Sequence, residues 1–375
     1  MLKAFYNIRH VIRVSRMAKK GSEKPKTAAE NSTGEMPELD AKIGKRLRKE
    51  LGDERLVELY DQMVRMRRFE EQAGRSYQMG KIKGFCHLYI GQEAVAAGSI
   101  GALEERDYVV AAYREHAQAM ARGLSENDIM AELYGKASGV SKGKGGSMHL
   151  FDAEKHFYGG WGIVGGQIPT ATGVAFAAKY RQEDAVCIVF MGDGTVPQGA
   201  FHESLNLASI WDLPIVYIIE NNGYGMGTAV DRISAIDDMS VKGASFNIKG
   251  VRVEDAQDIF KVYACISEAV EYARKEHRPM LVQLDTYRYR GHSMSDPATY
   301  RTKDEVTREQ QRDPIQRFTH WLVENKIRSE DELKEIDAKA KTLAKDAAKY
   351  ADAQDFPSLD TLTQDVYVEW PWAVD

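Results

Sequence analysis

The sequence predicts an α/β fold, a mostly parallel sheet with helices on both faces. Three observations carry that prediction. Val186 to Met191 and Pro214 to Ile219 are short apolar runs, as strands buried on both faces require. Between them, Gly199 to Trp211 places Phe201, Leu205, Leu207 and Ile210 near the spacing of a one-sided helix. Ile248 to Val253 and Met280 to Asp285 repeat the arrangement around a helical stretch from Asp255 to His277. Units of strand, helix and strand make their strands parallel with a right-handed crossover, so the strand carboxyl ends collect on one edge.

Polar chemistry gathers at that edge. Asp193 leaves the first strand in Gly192-Asp193-Gly194, and Asn222 leaves the second, 29 residues later, in Glu220-Asn221-Asn222. Neighbouring strands lie about 5 Å apart, so a carboxylate oxygen and an amide oxygen can meet. Hard oxygen donors suit Mg2+ or Ca2+, and Mg2+ is commonly shared with phosphate oxygens. Gly192, Gly194, Gly223, Gly225 and Gly227 leave backbone room for a bulky group, in the crevice where open α/β sheets bind ligands. Gly-Asp-Gly alone is equally an ordinary turn, and Gly223-x-Gly225-x-Gly227 misses the dinucleotide spacing. The combination of the Gly-Asp-Gly, the helix and the paired asparagines points to a diphosphate bridged through a metal.

With 375 residues the chain has ample length for a buried core in one large or two ordinary domains. Charged residues make up 29% and hydrophobic ones 43%, the range of globular proteins. A net charge of -5 argues against nucleic acid as the main partner. No apolar run approaches the roughly 18 residues of a membrane helix, so no membrane association is expected. Cys86, Cys187 and Cys265 are scattered and without CxxC spacing, which fits small buried side chains in a reducing compartment.

In chain order, residues 1–22 carry six Lys or Arg and no acid. That is compatible with an organelle transit peptide, but Ser is scarce and Met17 opens an ordinary polar stretch. A bacterial chain starting at Met17, with a disordered tail to about residue 40, is the preferred reading. Leu56 to Met79 has helical spacing. GFCHLYIGQEA, residues 84–94, places His87 beside aromatics, where a histidine is either a satisfied core residue or a catalyst. Asp107 to Ala112 reads as a strand followed by Tyr113-Arg114-Glu115-His116 and a helical segment to about Gly135. Arg114 then either grips a phosphate with its planar fork or forms a surface ion pair with Glu115.

ASGVSKGKGGSMH, residues 137–149, reads as an irregular loop whose glycines resemble a phosphate cradle without P-loop order; from composition a solvated flexible loop is the preferred reading. HFYGGWGIVGG, residues 156–166, reads as a second loop, feeding a helix from Pro169 to Tyr180. After Asp285, TYRYRGHSMSDPATYR places Arg288, Arg290, His292, Ser293 and Ser295 at the functional edge. From Lys303 onward two amphipathic helices are expected, and Trp370-Pro371-Trp372 offers aromatics to a partner.

The segments GFCHLYIGQEA, YREH, SKGKGGSMH, FYGGWGIVGG, MGDG, ENNGYGMGT and YRYRGHSMSDP, in that order, resemble the alpha subunits of the pyruvate dehydrogenase component in the thiamine diphosphate-dependent 2-oxo acid dehydrogenase family. The resemblance spans about residues 56–365. It implies a thiamine diphosphate-binding fold with Mg2+ held by Asp193, Asn222 and the backbone carbonyl of Tyr224. It implies a diphosphate resting on Arg114, Tyr113, His292 and the backbone of Gly194 and Thr195, with Gly162 and Val164 on the aminopyrimidine side. His87 and His292 would serve proton transfer. The implied partners are a beta subunit, in an alpha2beta2 heterotetramer, and the lipoyl domain of a dihydrolipoyl acetyltransferase.

On this basis the expected organisation is a tail at 1–45, a cofactor-binding α/β domain at 46–302 and a helical extension at 303–375 packed on it. The expected location is the bacterial cytoplasm, with the mitochondrial matrix as the alternative. Pro197, Trp161 and the segment QIPTATG depart from the usual family pattern. The competing expectations are a branched-chain 2-oxo acid or acetoin dehydrogenase subunit, and a noncatalytic scaffold. Ser293 and Ser295 lie in a loop that resembles one modified by kinases in mitochondrial relatives.

Overall fold

The computed structural model describes residues 36–365; the expected tail up to residue 35 and Trp370-Pro371-Trp372 lie outside the described residues. Helix α1 (Ala41–Leu51) begins inside the stretch assigned to the tail, because the Asp40 carboxylate accepts the N–H groups of Lys42 and Ile43. Helix α2 (Asp53–Gln78) is the expected long helix, burying Leu56, Leu59, Met63, Met66 and Phe69. Helix α3 (Glu93–Gly101) was not anticipated: nearly all of it is buried, so it lacks the one-sided pattern of a surface helix.

Strand β1 (Tyr108–Ala112) is followed by α4 (His116–Ala121) and α5 (Glu126–Leu133), not by one helix, because the chain turns at Gly123 with φ +97°. The glycine-dense stretch read as a loop contains β2 (Phe157–Trp161). Then come α6 (Gln167–Tyr180), β3 (Cys187–Gly192), α7 (Gly199–Ile210) and β4 (Ile215–Asn221), as the sequence predicts. A small hairpin pairs β5 (Tyr224–Gly225) with β6 (Thr228–Ala229). Strand β7 (Lys249–Val253), α8 (Ile259–Glu276) and β8 (Met280–Asp285) form the second expected unit.

Among the described residues three α-helices rather than two follow: α9 (Lys303–Gln310), α10 (Pro314–Glu324) and α11 (Glu330–Ala353). The unexpected α10 has Pro314 in its first turn, an Asp313 cap, and Phe318, Trp321 and Leu322 buried. Helix α11 packs along α2 and α5.

The six-stranded sheet runs β2-β1-β3-β4-β8-β7, and every neighbouring pair is parallel. Alternation along the strands builds both faces. Ile188, Phe190, Val216, Ile218 and Val282 face a core completed by Val262, Ile266 and Ala269 of α8. Cys187, Val189, Met191, Ile215, Tyr217 and Ile219 face a core completed by Ile168 and Ala171 of α6 and Phe201 and Leu205 of α7. Gly192 pairs with Glu220 and Asn221 with Asp285, so β3, β4 and β8 end nearly level on one edge.

Candidate active site

At that edge the residues leaving four strands surround one cavity of about 470 Å³, lined among others by Tyr113, Arg114, Asp193, Gly194, Thr195, Asn222 and Tyr224. Asp193 enters it from a single 3-10 turn, Asp193–Thr195. Its side chain is buried, and Oδ2 has no hydrogen-bond partner. Burial pushes the carboxyl up to about 6 against the pull of its own N–H, Arg288 and the Gly194 N–H.

Asn221 and Asn222 point to opposite sides, as strand alternation dictates. Asn221 donates to Asp285 at 3.0 Å, outside the cavity lining. Asn222 donates its amide N–H to Gln92 Oε1 at 3.0 Å, while its Oδ1 accepts a long bond of 3.4 Å from the Tyr224 N–H. The two turns touch: a methyl on Gly194 would sit 3.2 Å from the Gly225 Cα. Tyr224 sends its hydroxyl the other way, donating to Glu305 at 3.0 Å.

Arg114 is buried at the cavity wall and donates to the carbonyls of Leu88 at 2.8 Å and His292 at 2.7 Å. Burial, reinforced by Arg288, pulls its guanidinium down to about 10. The alternative of an ion pair with Glu115 does not hold. Glu115 is fully buried elsewhere, accepts the Leu150 N–H at 2.8 Å, and is held well above the usual carboxylate range by desolvation.

A second cavity of about 610 Å³ adjoins the first, sharing Tyr113, Val164, Met226 and His292 and adding Phe85, His87, Met148, Gly162, Ser293 and Tyr300. The His87 ring lies 5.1 Å from that of His292 and 4.7 Å from that of Tyr113. Nδ1 of each histidine is buried without a partner. Desolvation, then the Arg114 charge, drives His87 down to about 2 and His292 to about 4, so both rings are neutral at neutral pH. His87 is therefore on a cavity wall rather than within the core.

The loop at residues 137–149 does not offer its N–H groups to an external phosphate. Those of Ser141, Gly143, Gly145 and Gly146 converge on the Glu132 carboxylate at 2.6–3.0 Å, an anion supplied by α5. Its lysines Lys142 and Lys144 reach Asp365.

Three wall residues carried no role in the sequence reading. Gln92 orients Asn222 from 130 residues away, a pairing no local pattern announces. Glu220 is pushed up to about 7 by burial and takes bonds from the Tyr89 hydroxyl and Gln118. Arg288 is tied to Met226 O at 3.3 Å and to the Tyr300 hydroxyl at 2.9 Å; its place after β8 was the available signal. Among the described residues no three His, Cys, Asp or Glu side chains converge as a metal-binding group. No helix among them is long and apolar enough to cross a membrane.

Comparison with known proteins supplies the family. A pyruvate dehydrogenase E1 component subunit alpha of Rhizobium meliloti is 50% identical over 311 residues, covering 83% of this chain and 89% of that protein. The protein of the same description from Rickettsia bellii is 46% identical over 330 residues, 88% of this chain and all of its own length. A chloroplastic subunit alpha-3 of Oryza sativa is 42% identical over 323 residues, 84% of this chain and 76% of its own. The family model described as Dehydrogenase E1 component matches residues 61–360, and the chain belongs to that family.

Proposed function

We propose that this chain is the alpha subunit of a pyruvate dehydrogenase that binds thiamine diphosphate through Mg2+ in the first cavity. The observation that carries the reading is the buried, partnerless Asp193 Oδ2 on the same wall as Asn222. A carboxylate desolvated this far is costly without a counter-charge, so the site fits a cation. A site with one carboxylate and neutral oxygens suits Mg2+ that shares its remaining positions with phosphate oxygens and water. The close approach of Gly194 and Gly225 keeps backbone, not side chains, beside that position.

Asp193, Asn222 and the Tyr224 carbonyl would hold the metal. Arg114, Tyr113, His292 and the backbone of Gly194 and Thr195 would hold the diphosphate, and Gly162 and Val164 would flank the aminopyrimidine. When bound, thiamine diphosphate supplies a nucleophilic carbon and an electron sink for decarboxylating a 2-oxo acid. Neutral His87 and His292, both on the wall of the second cavity, would each accept or donate a proton through the imidazole, whose Nδ1 has no protein partner. Val164 and Met226 stand where the two cavities join.

The functional assembly on this reading is an alpha2beta2 heterotetramer, with the acetyl group passed to the lipoyl domain of a dihydrolipoyl acetyltransferase. On this reading the cofactor domain begins with α1 at Ala41 rather than at residue 46 and runs to residue 302, with the helices α9 to α11 as its extension, and the chain works in the bacterial cytoplasm. The names of the relatives favour pyruvate over branched-chain 2-oxo acids or acetoin. The test is turnover of pyruvate, 2-oxoisovalerate and acetoin by the chain assembled with its beta subunit. Pyruvate is expected to lead by kcat/KM, and preference for either competitor would overturn the substrate assignment.

A further inference from the structure

Behind the second cavity three buried polar side chains form one hydrogen-bonded row. Glu70 on α2 divides its carboxylate: Oε1 accepts the Tyr89 N–H at 2.8 Å and Oε2 lies 3.0 Å from His116 Nδ1. Across the ring, His116 Nε2 lies 2.9 Å from the Ser147 hydroxyl and 3.1 Å from the Ser147 carbonyl. An acid, a histidine and a serine in a row have the order of a nucleophilic triad. Ser147 is only 3% exposed, however, and none of the three lines either cavity, so the hydroxyl meets no substrate.

What the row does touch is the back of three segments whose fronts line the cavities. Tyr89 lies two residues after His87, His116 two after Arg114, and Ser147 directly before Met148. The segments around Tyr89 and Ser147 have neither helix nor strand to fix them, so a buried N–H such as that of Tyr89 depends on a side-chain partner. Glu70 supplies it from the middle of the long, rigid α2.

We infer that Glu70, His116 and Ser147 are positioning residues that set, from behind, the placement of His87 against Tyr113 and the Met148 wall. This role rests on the proposed reaction, in which His87 moves a proton. A shift of about 1 Å in such a group costs up to roughly a hundredfold in rate.

The test uses the chain assembled with its beta subunit. Ser147→Ala removes one hydroxyl and Ser147→Thr keeps it. Amide hydrogen exchange is followed in peptides spanning residues 84–92 and 141–150, beside kcat and KM for pyruvate. Ser147→Ala is expected to speed exchange in both peptides and to lower kcat by about tenfold or more with KM held within about twofold; Ser147→Thr is expected to restore both readouts. Faster exchange confined to 141–150, or an unchanged kcat, would overturn the inference. If Ser147→Ala does not fold, Glu70→Gln keeps an acceptor for the Tyr89 N–H while altering the bond to His116; for that variant faster exchange at 141–150 with kcat lowered about tenfold is expected, and unchanged exchange there or an unchanged kcat would overturn the inference. Faster exchange in both peptides of Ser147→Ala, in an assembly whose wild type does not turn over pyruvate, supports the tie between the segments and overturns the proposed reaction instead.

Discussion

Asn222 donates its side-chain N–H to Gln92 Oε1 at 3.0 Å, and that bond decides which end of the amide is left for a ligand. With the nitrogen engaged, the oxygen, which accepts only the long 3.4 Å bond from the Tyr224 N–H, is the atom left to meet a cation, as a hard metal requires. The residue that orients the donor lies between the His87 segment and α3, on no strand of the sheet.

Removing that orientation has a measurable cost. Gln92→Ala is expected to weaken Mg2+-dependent thiamine diphosphate binding by about 10- to 100-fold, the usual range for partners that orient metal ligands. Titration calorimetry across a Mg2+ series measures it. An unchanged Mg2+ dependence would mean that Asn222 needs no such support.

His87 makes stability depend on pH with a definite sign. Its folded value is depressed to about 2 by burial and Arg114, against about 6.5 when unfolded. Above pH 6.5 neither state is protonated there and the stability of the neutral ring is fully present. Below it only the unfolded ring takes up a proton, so stability drains as pH falls toward the folded value. Between pH 7 and pH 5 the loss is about 2 kcal/mol. Urea unfolding of His87→Gln should lack that loss, so the variant gains on the wild type by this amount at pH 5. An equal gap at both pH values would contradict burial of a neutral ring.

Ser293 adjoins His292, and its hydroxyl lies 2.9 Å from that of Ser295. Asp296 already accepts the His292 N–H at 2.6 Å, so a further negative charge here repels a carboxylate that holds the loop. Ser293→Glu is expected to cut overall activity of the assembled complex by about tenfold or more, measured as acetyl-CoA formation. Wild-type activity in that variant would refute the prediction.

How far the sequence reveals this protein differs from element to element. The unit from β3 to β4 was legible because strands covered on both sides are apolar throughout, and their parallel order places Asp193 and Asn222 on one edge without further information. Strand β2 was not, because Phe157–Trp161 contains Gly159 at φ +76° and owes its pairing to β1, across an irregular register. The glycines of residues 137–149 favoured a solvated loop over a phosphate cradle, and gave no sign that Glu132 fills a cradle there, since that carboxylate comes from a different element. Gln92 and the row from Glu70 to Ser147 depend on contacts between distant segments, which periodicity does not encode.

The most direct measurement is titration of thiamine diphosphate into the chain assembled with its beta subunit, with and without Mg2+, for the wild type and Asp193→Ala. Saturable binding that requires Mg2+ in the wild type and vanishes in the variant, with the circular dichroism spectrum and melting temperature retained, is the result predicted here. Equal affinity in the folded variant would contradict it, because the buried carboxylate would then have no part in holding the cofactor.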